Sequence, residues 1–350
     1  VKRALFIVVG LVVLVVAAAL IAPSFIDWNK YKGEIAGPIE RATGRTLVMN
    51  GDLSLSVLPT PRVSAADVRL STAGGADDFL TLRALDVQVA LWPLLRGEIQ
   101  VRSVRLVEPE FFLVVAADGS TNWQFDTGAT ASDAATGSAA PISVERVVIA
   151  NGALNYTDLT TGRTERVDSI TATFTAGNIV EGPYAAAGRV VVRDQAVGFD
   201  LSLGAANRNE AMPLRAKVEL ERGGAVAALQ GTVSPFAAQP AMDAKLSFDG
   251  GDLREALSVV SKIAGSDTTF VVPGAQAFSI NAQIAGTADA VTVNDLAMVV
   301  GETRATGAAT AALDPLALDV TLALGRLDLD AWANAVAIET SGTPASTEDT

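Results

Sequence analysis

From Leu47 onward, apolar side chains return at every second position, and that period restricts the chain more than any other feature. Leu53, Leu55 and Val57 alternate with Ser54 and Ser56; Val87, Val89 and Leu91 alternate with Gln88 and Ala90; Phe199, Leu201 and Leu203 alternate with Asp200 and Ser202. Successive side chains of a strand point to opposite sides, so each segment is predicted to be a half-buried strand with one apolar face. Turn-forming pairs punctuate these strands at short intervals: Asn50-Gly51, Gly74-Gly75, Asp118-Gly119, Asn151-Gly152, Thr161-Gly162, Gly223-Gly224 and Gly250-Gly251. Such spacing favours antiparallel meanders over strand–helix–strand units. One later helix interrupts the pattern. Asp252 and Glu255 match a capping box, Leu253, Leu257, Val260 and Ala264 fall on one face, and Gly265 ends the segment, which reads as a cap on the edge or end of a sheet.

Ahead of the strands lies ALFIVVGLVVLVVAAALIA, Ala4 to Ala22, with no charged or strongly polar residue. At about 1.5 Å per residue it covers roughly the hydrocarbon thickness of a bilayer, which predicts a membrane-spanning helix. Lys2 and Arg3 lead it, so the N-terminus is expected in the cytoplasm and everything beyond Pro23 on the far side. The rival is a cleaved signal peptide, for which Ala17 and Ala19 supply a small-residue pattern. The run exceeds the roughly 7–15 residues of a signal h-region, which favours a retained anchor. Behind it, Trp28, Tyr31, Ile35 and Ile39 recur at steps of three and four, predicting a short amphipathic helix that Asp27 caps, Pro38 bends and Gly44 terminates. Trp28 and Tyr31 then fall at headgroup depth, and Lys30 and Lys32 can meet anionic headgroups.

The residue inventory is poor in catalytic groups. The chain has no histidine and no cysteine, which removes imidazole acid–base chemistry, His triads, the usual zinc sites, disulfides and thiol nucleophiles. Its net charge of -13 argues against a nucleic-acid partner. Asp249 to Asp252, and Asp328 with Asp330, place carboxylates near one another without the ligand count of a calcium site, and turn and cap roles explain them better. Asp77-Asp78 reads as a solvated loop, and the sequon Asn155-Tyr156-Thr157 as a chance match. No P-loop, nucleophile elbow or G-x-G-x-x-G is present, so neither an enzyme nor a bound cofactor or metal is expected. A mean hydropathy of +0.34 exceeds what one anchor helix explains and requires apolar surface among the strands.

The expected organisation is an anchor over 1–23, a juxtamembrane helix and first β unit over 24–126, and a flexible small-residue linker over 127–140. A second β unit with its helix near 253–264 follows over 141–338, then a disordered tail over 339–350. Two outcomes are open for the apolar faces. In a sandwich they bury each other; in an open trough they line a groove, and an exposed apolar surface of that size marks a binding site. The candidate lining residues are Leu53, Leu55, Val57, Val87, Val89, Leu91, Phe199, Leu201 and Leu203.

Several elements in order resemble the N-terminal region of the AsmA family of bacterial inner-membrane-anchored periplasmic proteins. They are Asp27-Trp28, Thr43-Gly44-Arg45, Gly51-Asp52-Leu53, Leu58-Pro59, Trp92-Pro93-Leu94-Leu95 with Gly97, Pro109, and Gly119 with Asn122-Trp123. They span roughly the first third of the chain, which is more specific than any one motif. Residues 151–174 resemble the family's internal β units less distinctively. The resemblance implies a single-pass inner-membrane protein whose bulk is periplasmic, folded as an elongated antiparallel β-sheet curled into an open apolar groove. It implies binding of phospholipid acyl chains and a part in lipid transport and outer-membrane biogenesis. The partners it implies are membrane lipids, the inner membrane, and outer-membrane assembly or other periplasmic proteins. Family members usually run longer and end in a further domain, whereas this chain stops in a Ser/Thr/Pro tail, so a truncated product and a short member are both open. A groove this short is not expected to cross a periplasm by itself. Two other functions stay open: an assembly factor for outer-membrane proteins that carries no lipid, and a sandwich-type adhesion domain on an anchor. A stop-transfer flank with no part in lipid entry is likewise the alternative for the Trp28–Lys32 segment.

Overall fold

The computed structural model describes residues 26–326 apart from 58–59, 76, 95, 97–99, 125–143, 178–181, 207–209, 236, 238, 267–271, 273–274 and 314–315. The expected anchor, the 127–140 linker and the 339–350 tail lie outside the described residues. The chain is mainly β, as the period of two predicts, and divides into two compact units, 1–179 and 180–350.

The first unit opens with a 3-10 turn, Trp28–Tyr31, which runs into helix α1, Lys32–Thr43. The Asp27 carboxylate accepts from the Asn29 backbone N–H at 3.2 Å, and Gly44 closes the helix with φ +66°, a conformation that a side chain would strain. The expected common face of Trp28, Tyr31 and Ile35 is not found. The 3-10 turn, at about three residues per turn, changes the phase. Trp28 and Ala36 therefore pack on the core, while Tyr31 and Ile35 are exposed at 41% and 36%. Pro38 lies within the helix without ending it.

Eight strands follow: β1 (Leu47–Met49), β2 (Leu53–Ser56), β3 (Arg62–Ser71), β4 (Asp78–Val89), β5 (Val101–Val107), β6 (Glu110–Val115), β7 (Val144–Asp158) and β8 (Arg163–Ala176). A one-turn helix α2, Leu91–Leu94, joins β4 to β5, so Leu91 begins a helix and does not extend the strand. The expectation of a wholly antiparallel sheet is corrected. β7 runs parallel to both β5 and β6, a pairing that a tight hairpin turn cannot make. β5 and β6 both pair with β4 in the antiparallel sense and behave as one strand broken at Glu108-Pro109.

The break belongs to a crease across the unit. Asp67 in β3, Glu108 between β5 and β6, Asn151 in β7 and Ser169 in β8 all have positive φ. Asp67 stands opposite Arg83 of β4, whose guanidinium meets Glu108 at 3.1 Å, and Glu108 follows Val107, the partner of Ala150. Asn151-Gly152, expected as a turn, is thus an irregularity inside β7. Asn tolerates the left-handed region, and a bulge needs it as much as a turn does. The phase change keeps apolar side chains on one core: Ala65 and Val68 lie on either side of Asp67, and Leu80 and Leu85 on either side of Arg83, yet all four pack in the same cluster.

The second unit is a meander of β9 (Tyr184–Val192), β10 (Gln195–Leu203), β11 (Met212–Leu220), β12 (Ala225–Ser234), β13 (Ala241–Gly250), β14 (Phe278–Thr287), β15 (Ala290–Val300), β16 (Thr303–Leu313) and β17 (Leu316–Arg326), each antiparallel to the next. Helix α3, Leu253–Ala264, follows β13. Asp252 caps it, accepting from the Glu255 N–H at 3.2 Å, and Gly265 ends it at φ +69°. Its inward stripe is Leu253, Ala256 and Val259, not the expected stripe through Val260, which is 41% exposed. The small Ala256, wholly buried, lets the helix approach Ala225 closely.

Candidate functional site

The strand register places the side chains of the second unit. On β10, Val197, Phe199, Leu201 and Leu203 share a side with Gln195. Following Leu201 across the sheet gives Ala186 on β9, then Ala216, Leu229, Leu246 and Ala282 on β11 to β14. Phe199 leads in the same way through Val218, Ala227, Phe248, Ile280, Met298 and Ala305 to Leu324. The positive-φ Asp295 forms a bulge in β15 that keeps both Leu296 and Val293 on this side. Among the residues that the register pairs from Tyr184 to Leu324, no charged side chain falls on this face. Arg189, Asp200, Arg215, Lys217, Glu219, Asp243, Lys245, Asp249, Arg304 and Asp319 all fall on the other.

Helix α3 covers one end of the apolar face, where Leu253, Ala256 and Val259 pack with Leu220, Ala225, Phe278 and Val300. Beyond it the face is uncovered by any other described helix of this unit. Phe199, Leu214, Leu229, Leu246 and Ile284 are half-buried, and Leu201 is 39% exposed. The face is barest on β17, where Leu318 is 71% exposed. At about 4.8 Å between strands, nine strands give a contour near 38 Å, more than the roughly 15 Å of one bilayer leaflet's hydrocarbon. A sandwich needs a second sheet, and the described strands of this unit form one.

The first unit repeats the separation. Leu55, Val63, Val87, Val104, Val147 and Phe174 form a row across β2, β3, β4, β5, β7 and β8, beside a second row of Leu53, Ala65, Leu85, Leu106, Ile149 and Ala172. One row runs between them, with Ser54, Ser64, Asp86 and Arg105 in register and Ser64 donating to Asp86 at 2.5 Å. Leu53 is in the closed core beneath Trp28 and Ala36 rather than on an open surface. Leu55, Val87 and Val89 are half-buried strand residues, Val57 lies just past β2, and Phe199, Leu201 and Leu203 share the face in the second unit. Of the expected membrane-contacting residues, Tyr31 and Lys30 are exposed, Lys32 is half-buried, and Trp28 packs on the core with its ring tilted against that of Tyr31, centres 5.5 Å apart.

Sequence reasoning missed Arg45. Its side chain is fully buried, with Nη2 donating to the carbonyls of Asn122 at 2.6 Å and Gln124 at 3.2 Å, and Nη1 to that of Ser71 at 3.4 Å. The guanidinium also lies 4.4 Å from the centre of the Phe79 ring. Desolvation lowers its pKa from a very high ordinary value, and the group stays cationic. The Asn122 side chain accepts from Val114 N–H and donates to the Phe112 carbonyl. Gly51 passes so close to Ala66 that an added Cβ would stand 2.7 Å from the Ala66 Cβ. The elements Thr43-Gly44-Arg45, Gly51 and Asn122 therefore hold the first unit together.

One polar network sits at the edge of the crease. Asn155 and Arg166 donate to Glu110 at 2.9 and 3.0 Å, and Arg166 also meets Asp168 at 2.7 Å. The Asn155 and Arg166 bonds hold the Glu110 carboxyl below its ordinary 4.5. A depressed carboxylate contributes stability above its unfolded pKa and loses it as pH falls through the folded value. Urea unfolding of wild type should therefore weaken from about pH 5 downward. Glu110→Gln should lose less across the same window, by under about 1 kcal/mol because the pair is partly exposed; identical slopes would remove Glu110 from the acid response. Among the described residues no group of three or more carboxylates could hold a metal ion.

Comparison with known proteins gives one family. The sequence model of the AsmA family matches residues 1–250. No curated protein and no solved structure matches the chain.

Proposed function

The chain belongs to the AsmA family, linked in general to outer-membrane biogenesis and lipid transport, and on that premise we propose that this cell-envelope protein binds phospholipid acyl chains along the apolar faces of its sheets. The observation that carries the proposal is the second unit's uncharged face, uncovered beyond α3 and wider than an acyl chain is long. A water-exposed face of that extent is unfavourable at about 25 cal/mol per Å² unless something apolar lies on it. Acyl chains fit because the face beyond α3 offers continuous apolar contact along the rows through Phe199 and Leu201. The protein acts by binding and passing lipid, with no catalytic step. The apolar run at Ala4 to Ala22 anchors it in the inner membrane with its bulk in the periplasm.

Mass spectrometry of the full chain, extracted in a mild detergent, tests the proposal. Phospholipid should remain bound in stoichiometric amount after detergent exchange. A lipid-free protein that still supports outer-membrane protein insertion would instead favour an assembly factor.

A further inference from the structure

We infer that helix α2, with Trp92 exposed on it, is a second membrane contact that seats the first unit on the bilayer beside the anchor. The inference rests on the anchor reading of residues 4–22.

Helix α2 has a firm base and an unprotected apolar side chain. Val89 N–H donates to the Pro61 carbonyl, Ala90 N–H to the Gln100 carbonyl at 2.8 Å, and Ala90 is 2% exposed. From this base the chain makes the one-turn helix Leu91-Trp92-Pro93-Leu94, on which Trp92 is 73% exposed, the most exposed of the large apolar side chains among the described residues. Arg96 beside it and Arg62 at the start of β3 are also exposed. An exposed indole with exposed arginines near it in chain order and strand register suits the headgroup region, where the ring is favoured and cations meet anionic lipid.

A second observation places that helix toward the membrane. Asn29 accepts from Leu53 N–H at 2.9 Å, so the chain enters α1 beside the start of β2, level with Ala65. At the other end of α1, Arg45 and Thr46 bond to Ser71 at the end of β3. Helix α1 thus runs in the direction of β3, and traced backward from Lys32 the chain heads toward the Arg62 end. Arg62 pairs with Gln88, and α2 follows β4 at that same end. From the level of Ala65 to that of Arg62 is about 10 Å at strand rise, and the four residues from Ala22 to Ile26 span at most about 14 Å. That length of chain is enough for an anchor ending at Ala22 and helix α2 to meet one bilayer surface. The apolar row of Leu55, Val63 and Val87 begins at this end, so a lipid leaving the leaflet there meets it first.

The absence of native cysteine makes the test direct. Full-length Trp92→Cys and Ala73→Cys, the latter exposed in the β3–β4 turn at the opposite end, are labelled with an environment-sensitive fluorophore. Both are reconstituted in vesicles of phosphatidylethanolamine and phosphatidylglycerol. At position 92 the emission should shift to the blue, be quenched by brominated acyl chains and be shielded from aqueous iodide, while position 73 reads as water. A probe at 92 that reads as water in vesicle-bound protein overturns the second contact and leaves the anchor standing. Shielding from iodide without bromine quenching overturns it in favour of a protein contact, and equal quenching at 73 overturns the orientation of α2. Protein that fails to stay with the vesicles overturns the anchor reading and this inference together.

Discussion

Arg45→Ala is expected to destabilise the first unit by about 3–5 kcal/mol, the upper end of what one substitution does. The guanidinium donates to three main-chain carbonyls from two distant segments, and removal leaves those oxygens without it in a site closed to water. The alanine also forfeits the contact with Phe79. Arg45→Lys should fall between, because an ammonium keeps the charge but cannot span Ser71, Asn122 and Gln124 with one planar fork. Denaturant unfolding of the full chain in detergent, with proteolysis near Asn122 as the local readout, orders the three proteins. An Arg45→Ala protein as stable as wild type would show that the clamp is dispensable.

This clamp shows where sequence reasoning ends. Thr43-Gly44-Arg45 and Asn122-Trp123 stand out in the sequence as parts of one resemblance, but nothing in spacing says that Arg45 reaches residues 122 and 124. Such a contact depends on how β1 and β3 meet the turn after β6. Local signals were legible: the cap at Asp252, the stop at Gly44, and the alternation of Phe199, Leu201 and Leu203 each act within a few residues. The parallel placement of β7 and the crease through Asp67, Glu108 and Asn151 were not, since both arise from pairing between strands far apart in the chain. Asn151-Gly152 illustrates the ambiguity, because turn and bulge ask for the same backbone conformation. The extent of the uncharged face was half legible. Each strand's alternation shows in the sequence, but only the register, including the Asp295 bulge, aligns all nine on one side.

Leu201→Arg is expected to leave the second unit folded, within about 1 kcal/mol of wild type, while lipid binding is lost. In a closed core an unpaired arginine costs several kcal/mol. Leu201 is already 39% exposed and lies away from the residues that α3 covers, so a guanidinium there can reach water along the face. The charge would then stand in the path of an acyl chain, which offers it no partner. Ser202→Arg, on the opposite side of β10, should preserve both fold and lipid. Unfolding of Leu201→Arg would mean that the face is buried in the native protein and that lipid cannot lie on it.

The central claim, that the uncharged face holds acyl chains, is tested most directly by photo-crosslinking in native membranes. A photoreactive residue is placed at Leu201 or Leu246 on that face, and at Ser202 or Lys245 on the other. Illumination should attach phospholipid at 201 and 246 and not at 202 or 245. Absence of adducts at 201 and 246 in folded protein, or equal labelling at 202 and 245, would contradict it.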